Sequence, residues 1–195
     1  GRFVTAITQG VSPRADSVLA RAEEWGLLKL SAVKFGAFHP DENKRLPIDF
    51  SFEPGLVPRV GDLLVTRANT PAYVGDACAV TADPGQVVLC DLIYRLRLER
   101  ALDPEFAAVA LLAGAGRAHL ASAARGTSQS MVKLRGEDIK ATRIPAVSHR
   151  VQMKVLDRLG RARVVRERFT SKLQAQILLL IERRQALVTA AVTGE

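Results

Sequence analysis

The stretch from Ser148 to Thr189, SHRVQMKVLDRLGRARVVRERFTSKLQAQILLLIERRQALVT, decides the architecture of this 195-residue chain. It contains no proline, and its one glycine is Gly160. Apolar residues recur in it at spacings of three and four, as on one face of a helix: Val151, Val155, Leu159, Ala162, Val165, Phe169, Leu173, Ile177 and Leu180. The pattern predicts one long helix, about 60 Å at 1.5 Å per residue. Such a helix cannot bury its stripe against a small domain alone, so it needs a partner helix.

The preceding part of the chain predicts a mixed globular domain. Four segments favour strands because they are apolar or alternating and are bounded by turn residues: Trp25–Val33, the end of Val60–Arg67, Ala72–Val80 and Gln86–Leu98. An aspartate, a proline and a glutamate at 103–105 favour a helix start, with the helix running to about Leu112 and resuming through Ala124. The segment Ser17–Glu24 favours a helical turn, and Phe35–Pro58 an irregular excursion. The predicted fold class is α+β, with a globular domain over 1–146 and a long helix over 147–195 that pairs with a partner helix.

Composition favours a polyanionic partner. The formal net charge is +8 and the isoelectric point about 10.1, a balance typical of proteins that bind nucleic acid or an anionic membrane surface. Residues 1–149 carry 18 Lys+Arg against 16 Asp+Glu, whereas residues 150–195 carry 10 against 4. Most of the excess therefore lies on the predicted helix, and any base recognition by the globular domain must depend on a local face.

Membrane insertion, disulfides and catalysis are not expected. No apolar run is long enough to span a bilayer, and two cysteines, Cys78 and Cys90, do not make a disulfide framework; both are interpreted as small buried residues, and a cytoplasmic location is the default. The sequence has no glycine-rich cofactor loop, no Walker motif, no carboxylate cluster of nuclease type, and no histidine with partners at metal spacing. An enzyme is not predicted.

The order of segments resembles one known family. Trp25–Val33 resembles the opening of a target-recognition domain, Val60–Asn69 (VGDLLVTRAN) resembles its GDLL segment, and Gly126–Met131 (GTSQSM) its GT-x-Q-like loop. Ile144–Pro145 resembles its exit, although a second proline is usual there, and Glu182–Gly194 (ERRQALVTAAVTG) is very similar to its C-terminal ending. Together these motifs resemble one half of the specificity subunit of type I restriction–modification systems.

The resemblance implies a division of labour. A full specificity subunit carries two target-recognition domains, each followed by a helix, and the two helices pair as an antiparallel coiled coil. Each domain recognises one half of a split site in double-stranded DNA. A modification subunit brings S-adenosylmethionine and methyl transfer, and a restriction subunit brings cleavage. This chain would therefore hold no cofactor and no metal. It would be a half-subunit that forms a homodimer through its C-terminal helix, or the second half of a longer chain.

Candidate DNA contacts lie in three segments. Arg, Asn and Gln side chains pair with base edges in the major groove, and hydroxyls and amides bind phosphate. The candidates are Arg67, Asn69 and Thr70 after a strand, Lys44 and Arg45 in the irregular excursion, and Thr127, Ser128, Gln129, Ser130 and Lys133 in the polar loop. A structural interpretation stays open for each set: Arg67 paired with a nearby acid, a solvated loop, and a loop that braces the base of the helix.

The helix itself offers a seam and a charged face. The seam with a second copy is predicted to comprise Val155, Leu159, Ala162, Phe169, Leu173 and Leu180. Arginines between positions 158 and 168 face the spacer phosphates, the modification subunit, or solvent. An alternative hypothesis is a coiled-coil assembly protein whose globular domain binds protein rather than DNA.

Overall fold

The structure is a computed structural model that describes residues 2–128 and 131–194. It comprises two compact units, Gly1–Gln152 and Met153–Glu195. The domain boundary between residues 146 and 147 stays a prediction.

The described residues form short strands, a few helices and one long helix. In chain order the elements are β1 (Val4–Gln9), β2 (Gly26–Leu28), β3 (Val33–Lys34), β4 (Ala37–Phe38), β5 (Asn43–Arg45), β6 (Leu63–Thr66), β7 (Ala68–Asn69), β8 (Ala77–Ala79), β9 (Val87–Val88), β10 (Ile93–Leu98), α1 (Pro104–Leu112), α2 (Gly114–Ala123), β11 (Arg125–Ser128), β12 (Met131–Lys133), α3 (Gly136–Ala141) and α4 (His149–Thr193). The predicted α+β class with a long C-terminal helix is confirmed. The antiparallel coiled coil stays a prediction.

A four-stranded antiparallel sheet of order β1-β10-β6-β8 forms the centre of the first unit. Its strand β6 is buried along its whole length, as expected for an uninterrupted apolar run. Leu64 and Ile93 are fully buried, and α1 packs on β8 and β6. Three smaller sheets surround the centre: β11-β12-β7, β5-β2-β9 and the hairpin β3-β4.

Helix α1 begins as the sequence predicts. The Asp103 carboxylate accepts hydrogen bonds from the backbone N–H groups of Glu105 and Phe106, at 2.9 and 3.0 Å, and Pro104 occupies the first turn. These contacts satisfy two N–H groups that have no partner within the helix. The helix buries Phe106 and Leu111 against the central sheet.

Several boundaries differ from the predictions. The predicted helical turn Ser17–Glu24 is not helical, and the predicted strand Trp25–Val33 is interrupted by a 3₁₀ turn at Leu30–Ala32. Residues 70–75 form a turn rather than the start of a strand, because Gly75 has a left-handed φ of 75°. Strand β1 was missed because its residues are half-exposed or exposed and do not alternate. The polar loop at 126–131 carries strand residues of β11 and β12.

The predicted single C-terminal helix is confirmed as α4, which has 45 residues and is about 68 Å long at 1.5 Å per residue. Among the described residues, no single helix is both long and apolar enough to cross a membrane, whereas α1 and α2, bent by 70° relative to each other, reach that threshold only as a pair.

Candidate nucleic-acid interface

Strand β7 joins two of the candidate segments. It pairs antiparallel with β12, so that Asn69 lies opposite Val132 and Ala68 lies opposite Lys133. The candidates Asn69 and Lys133 therefore lie on one three-stranded sheet, although they are far apart in sequence. Lys133 is exposed and Asn69 is half-buried.

The third strand of that sheet, β11, carries the candidates Thr127 and Ser128. Gln129 and Ser130 lie outside the described residues. Arg125, the first residue of β11, links this sheet to α3. It donates to both carboxylate oxygens of Asp138 at 3.1 and 2.8 Å. Burial raises the pKa of Asp138, but the N–H of Arg135 and the guanidinium of Arg125 outweigh it and hold that pKa below its ordinary value.

Arg67 connects this sheet to the central one. Its backbone N–H donates to the carbonyl of Leu92 at 2.7 Å, and its carbonyl accepts from the N–H of Leu134 at 2.8 Å. Its Nε donates to the hydroxyl of the buried Tyr94 at 3.2 Å, and its guanidinium lies 6.0 Å from that ring. Among the described residues, the side-chain partner of Arg67 is thus a tyrosine and not an acid.

The turn that follows β7 is fixed by an arginine from α2. Arg117 donates to the carbonyls of Val74, Pro71 and Ala72, the last two at 2.9 and 3.1 Å. The hydroxyl of Thr66 donates to the carbonyl of Tyr73 at 3.0 Å. The sequence did not single out Arg117, because an arginine on a helix is usually solvated.

A second constraint on the turn comes from Gly75. Besides its left-handed φ, a Cβ at this position would lie 3.0 Å from Leu120 and 3.1 Å from Leu134. A side chain here would therefore need both leucines to move. The turn bearing Thr70 and Tyr73 is held by hydrogen bonds and by packing.

An open groove lies beside this turn. Asn69 and Tyr73 line it from the turn, and Lys34 lines it from the end of β3. Tyr73 is 42% exposed, and Lys34 is exposed. The sequence analysis missed Lys34 and Tyr73, and only the predicted GDLL segment ending at Asn69 pointed to this region. The exposed Thr70 follows Asn69 directly and donates its N–H to the Asn69 side-chain oxygen at 2.8 Å.

Lys44 and Arg45 lie on a different sheet, in strand β5. Arg45 donates to the Asp16 carboxylate at 2.7 Å and to Glu24 at 3.5 Å. The hydrogen bond with Asp16 and the charge of Glu24 raise the pKa of Arg45. Lys44 is exposed. Arg45 therefore has carboxylate partners within the protein, whereas Lys44 faces solvent.

The described part of the chain offers no cluster of three His, Cys, Asp or Glu side chains that could hold a metal ion. Both cysteines are buried and unpaired, as the sequence predicted.

In the helical unit, the residues of the predicted seam differ in exposure. Val155 and Leu159 are half-buried, whereas Ala162, Phe169, Leu173 and Leu180 are exposed. Their pairing with a second helix stays a prediction. The arginines between positions 158 and 168 are also exposed, and one of them, Arg161, forms an ion pair with Asp157 at 2.6 Å.

The seam is not the full extent of apolar surface on α4. Five consecutive aliphatic residues, Ile177–Ile181, are all exposed. At 3.6 residues per turn, five consecutive positions encircle a helix. We call Ile177–Ile181 the aliphatic girdle. A single partner helix covers one side of such a segment, and a helix that is apolar on all sides is ordinarily buried.

Comparison with known proteins places these features in context. No protein-family model matches the chain. The specificity subunit of the type I restriction enzyme EcoEI from Escherichia coli is 26% identical over 194 residues, which cover 98% of this chain and 33% of that protein. The chain thus spans about a third of the length of the curated relative it matches.

The fold is also found in a solved structure. The specificity subunit of a type I restriction–modification system from M. genitalium matches with a TM-score of 0.51 and 17% identity, over 80% of this chain and 36% of that one. The two chains therefore share a fold. With the EcoEI match, the resemblance to the specificity subunits of type I restriction–modification systems that the sequence predicted is confirmed over nearly the whole chain.

Proposed function

We propose that this chain is a DNA-recognition component of a type I restriction–modification system, in which its globular unit recognises one half of a bipartite site. The observation that carries the proposal is the similarity to the EcoEI specificity subunit over 98% of the chain. Methyl transfer and cleavage would take place on a modification and a restriction subunit, and S-adenosylmethionine would bind the modification subunit.

The sheet β11-β12-β7 and the adjoining groove form the proposed DNA-binding face. Asn69 is suited to recognise adenine, because an amide pairs with the N6 and N7 edge in the major groove. Its oxygen accepts one hydrogen bond from Thr70 N–H, which orients the amide, and within the described residues its nitrogen has no hydrogen-bond partner. Lys34 is an exposed cation that lines the same groove, and Lys133 is an exposed cation on β12, the strand that pairs with β7. Both would contact phosphates.

The other candidates take different places in this proposal. Arg67 is engaged with Tyr94 and would orient β7 rather than contact a base. Arg45 is held by Asp16 and Glu24 and would maintain its own sheet. Lys44 would be a peripheral phosphate contact. The DNA phosphate backbone would be bound by Thr127, Ser128, Gln129 and Ser130, together with Lys133.

Helix α4 would set the distance between two recognition units. Two copies, or two halves of a longer chain, would pair antiparallel through the seam from Val155 to Leu180. Half-sites one turn of DNA apart lie about 34 Å centre to centre, and a helix of about 68 Å is long enough for that span. The bases between the half-sites would then remain uncontacted.

The exposed apolar surface of the aliphatic girdle favours a further binding partner for α4. Because its residues encircle the helix, a single paired helix would leave part of Ile177–Ile181 in water. We assign the remaining surface to the modification subunit, which would bury it. The alternative, an assembly protein whose globular unit binds protein, shares the helix but predicts no salt-dependent affinity for DNA.

A selection from random DNA duplexes tests the proposal. The 195-residue chain is incubated with a library of duplexes, bound DNA is recovered at two salt concentrations, and the enriched sequences are aligned. We expect a short enriched half-site, or two half-sites with an unselected spacer where two copies bind. Enrichment of no sequence would contradict the proposed function.

A further inference from the structure

The hairpin β3–β4 has an unusual residue at its tip. Lys34 pairs with Ala37, so the connection consists of Phe35 and Gly36 alone. Both have left-handed backbones, with φ of 49° and 79°. Two-residue hairpin loops with positive φ at both positions favour Asn-Gly or Asp-Gly. Within the described residues, Phe35 is the one non-glycine residue with a positive φ.

Burial of its side chain does not offset the unfavourable left-handed backbone of Phe35. A left-handed backbone is unfavourable for a residue with a Cβ, and an aromatic residue usually occupies such a position only where the surroundings impose it. The Phe35 side chain is 63% exposed. The fold therefore bears a local cost to place a large apolar ring in water.

Neighbouring residues hold the tip in place. The backbone N–H of Phe35 donates to the carboxylate of Asp76 at 2.9 Å, and the other oxygen of that carboxylate accepts from Ala77 N–H at 3.1 Å. Asp76 is 3% exposed. The Phe35 ring meets the Tyr73 ring edge to face, with centroids 5.6 Å apart and planes at 71°. Tyr73 belongs to the turn that Arg117 fixes, so side-chain hydrogen bonds hold the backbone that carries each aromatic ring.

The tip adjoins the proposed DNA-binding face. Lys34 and Tyr73 both line the groove that contains Asn69, and the Lys34 ammonium lies 5.8 Å from the centroid of the Phe35 ring. Among the described residues that line the groove, the one acid is Asp76, which is buried and accepts two backbone hydrogen bonds. The charge that the groove lining exposes is therefore the positive charge of Lys34, which complements a phosphate backbone.

We infer that Phe35 is a specificity-determining residue that packs against the C5-methyl group of a thymine in the major groove, beside the base pair contacted by Asn69. The inference rests on the proposed function. The thymine methyl is the apolar group that base pairs present in the major groove, and aromatic and aliphatic side chains recognise it by contact. In one DNA major groove, the Asn69 amide would recognise adenine and the Phe35 ring would recognise thymine. Together they would select an A·T-containing half-site.

Replacement of Phe35 by asparagine tests the inference, because Asn-Gly is the preferred pair for this turn. We expect Phe35→Asn to have a melting temperature equal to or above that of the unmodified chain, while its affinity for the selected duplex falls about tenfold, from loss of the apolar contact. Ile48→Asn is the matched control. Ile48 is a fully exposed apolar residue that lines a different depression, and its replacement should leave the affinity unchanged.

The thymine is identified by removing its methyl group. Duplexes of the selected sequence are made with uracil in place of each thymine in turn, and their affinities are measured with the unmodified chain and with Phe35→Ala. One substitution should weaken binding to the unmodified chain about fourfold, the equivalent of one buried methyl group, and should not weaken binding to Phe35→Ala.

Three results overturn the inference. The first is equal DNA affinity of Phe35→Asn and the unmodified chain, and the second is no effect of uracil at any position. The third is that Phe35→Asn keeps its DNA affinity but loses binding to a partner protein. In each of these the unmodified chain still selects a DNA sequence, so the proposed function stands. Absence of any selected sequence with the unmodified chain contradicts the proposed function itself.

Discussion

The side-chain oxygen of Gln152 accepts a hydrogen bond from the backbone N–H of Asp103 at 2.8 Å, which ties the first turn of α4 to the cap of α1. Its amide nitrogen donates to the carbonyls of Ala101 and Val147 at 2.9 and 3.0 Å. Gln152 is 1% exposed. A buried polar side chain at the start of the helix thus satisfies three backbone groups that would otherwise lose hydrogen bonds.

Replacement of Gln152 by leucine should destabilise the globular unit by about 3 kcal/mol, because it leaves buried N–H and carbonyl groups without partners. Urea unfolding monitored by circular dichroism measures the change. Lys154→Ala, at an exposed position in the same turn, should change the stability by less than about 0.5 kcal/mol. Equal stabilities of Gln152→Leu and the unmodified chain would show that these bonds do not hold the start of the helix.

Asn69 and Lys133 should differ in how their loss affects DNA binding. Asn69→Ala removes a base contact and should relax selection at one position, with a loss of discrimination of roughly 1–3 kcal/mol. Lys133→Ala removes a phosphate contact, so it should weaken binding to all sequences alike and reduce the slope of log K against log salt by about 1. Repeating the duplex selection and the salt titration with each variant distinguishes the two roles. A uniform loss for Asn69→Ala would contradict its assignment to a base.

Arg117 should affect DNA binding indirectly, through the turn whose carbonyls it binds. Arg117→Ala removes hydrogen bonds to the carbonyls of Pro71, Ala72 and Val74 and should cost about 2 kcal/mol of folding free energy. It should also lower DNA affinity by mispositioning Asn69 and Tyr73. Because Arg117 contacts no phosphate in this account, the salt slope should stay unchanged, in contrast with Lys133→Ala. A reduced slope would instead make Arg117 a direct DNA contact.

The two cysteines should be unreactive in the folded protein. Burial raises the pKa of Cys78 far above its ordinary value and that of Cys90 to about 11, and the thiolate is the reactive species. We expect neither thiol to react with Ellman's reagent at pH 8 in native buffer, and both to react in concentrated guanidinium chloride. Rapid modification of one thiol in native buffer would show that its part of the core opens.

The seam of α4 should control self-association. Leu173→Glu places a charge in the predicted interface, so it should abolish a dimer that forms at micromolar concentration. Val164→Glu, at an exposed position off the seam, is the control and should leave the dimer intact. Sedimentation velocity measures both. A monomeric unmodified chain at that concentration would contradict the homodimer and favour pairing within a longer chain.

Prediction from the sequence succeeded where a local pattern determines structure. The apolar spacing in α4, the cap formed by Asp103 and the uninterrupted apolar run of β6 each depend on neighbours in sequence, and the structure confirms all three. Edge strands such as β1 depend on partners far along the chain, so their pattern is weak. The two-residue connection at Phe35 is local, but it was not predicted because Phe-Gly lacks the Asn-Gly or Asp-Gly signal of such turns.

The candidate site was predicted only in part. The sequence analysis pointed to Asn69 and Lys133, and the pairing of β7 with β12 brings their strands together. It did not point to Lys34 and Tyr73, which line the groove, or to Phe35 beside Tyr73. These residues lie in a hairpin and a turn that are held by Asp76 and Arg117. Arg45 was indistinguishable in sequence from a DNA contact, since its acidic partners lie 21 and 29 residues away.

Methylome sequencing tests the central claim most directly. A host is given this chain together with a cognate modification subunit, and modified bases are mapped genome-wide, with Asn69→Ala in parallel. The account predicts methylation at a split motif with an unselected spacer, which becomes degenerate at one position with Asn69→Ala. A contiguous methylated motif, or a motif that stays the same when the chain is omitted, would contradict it.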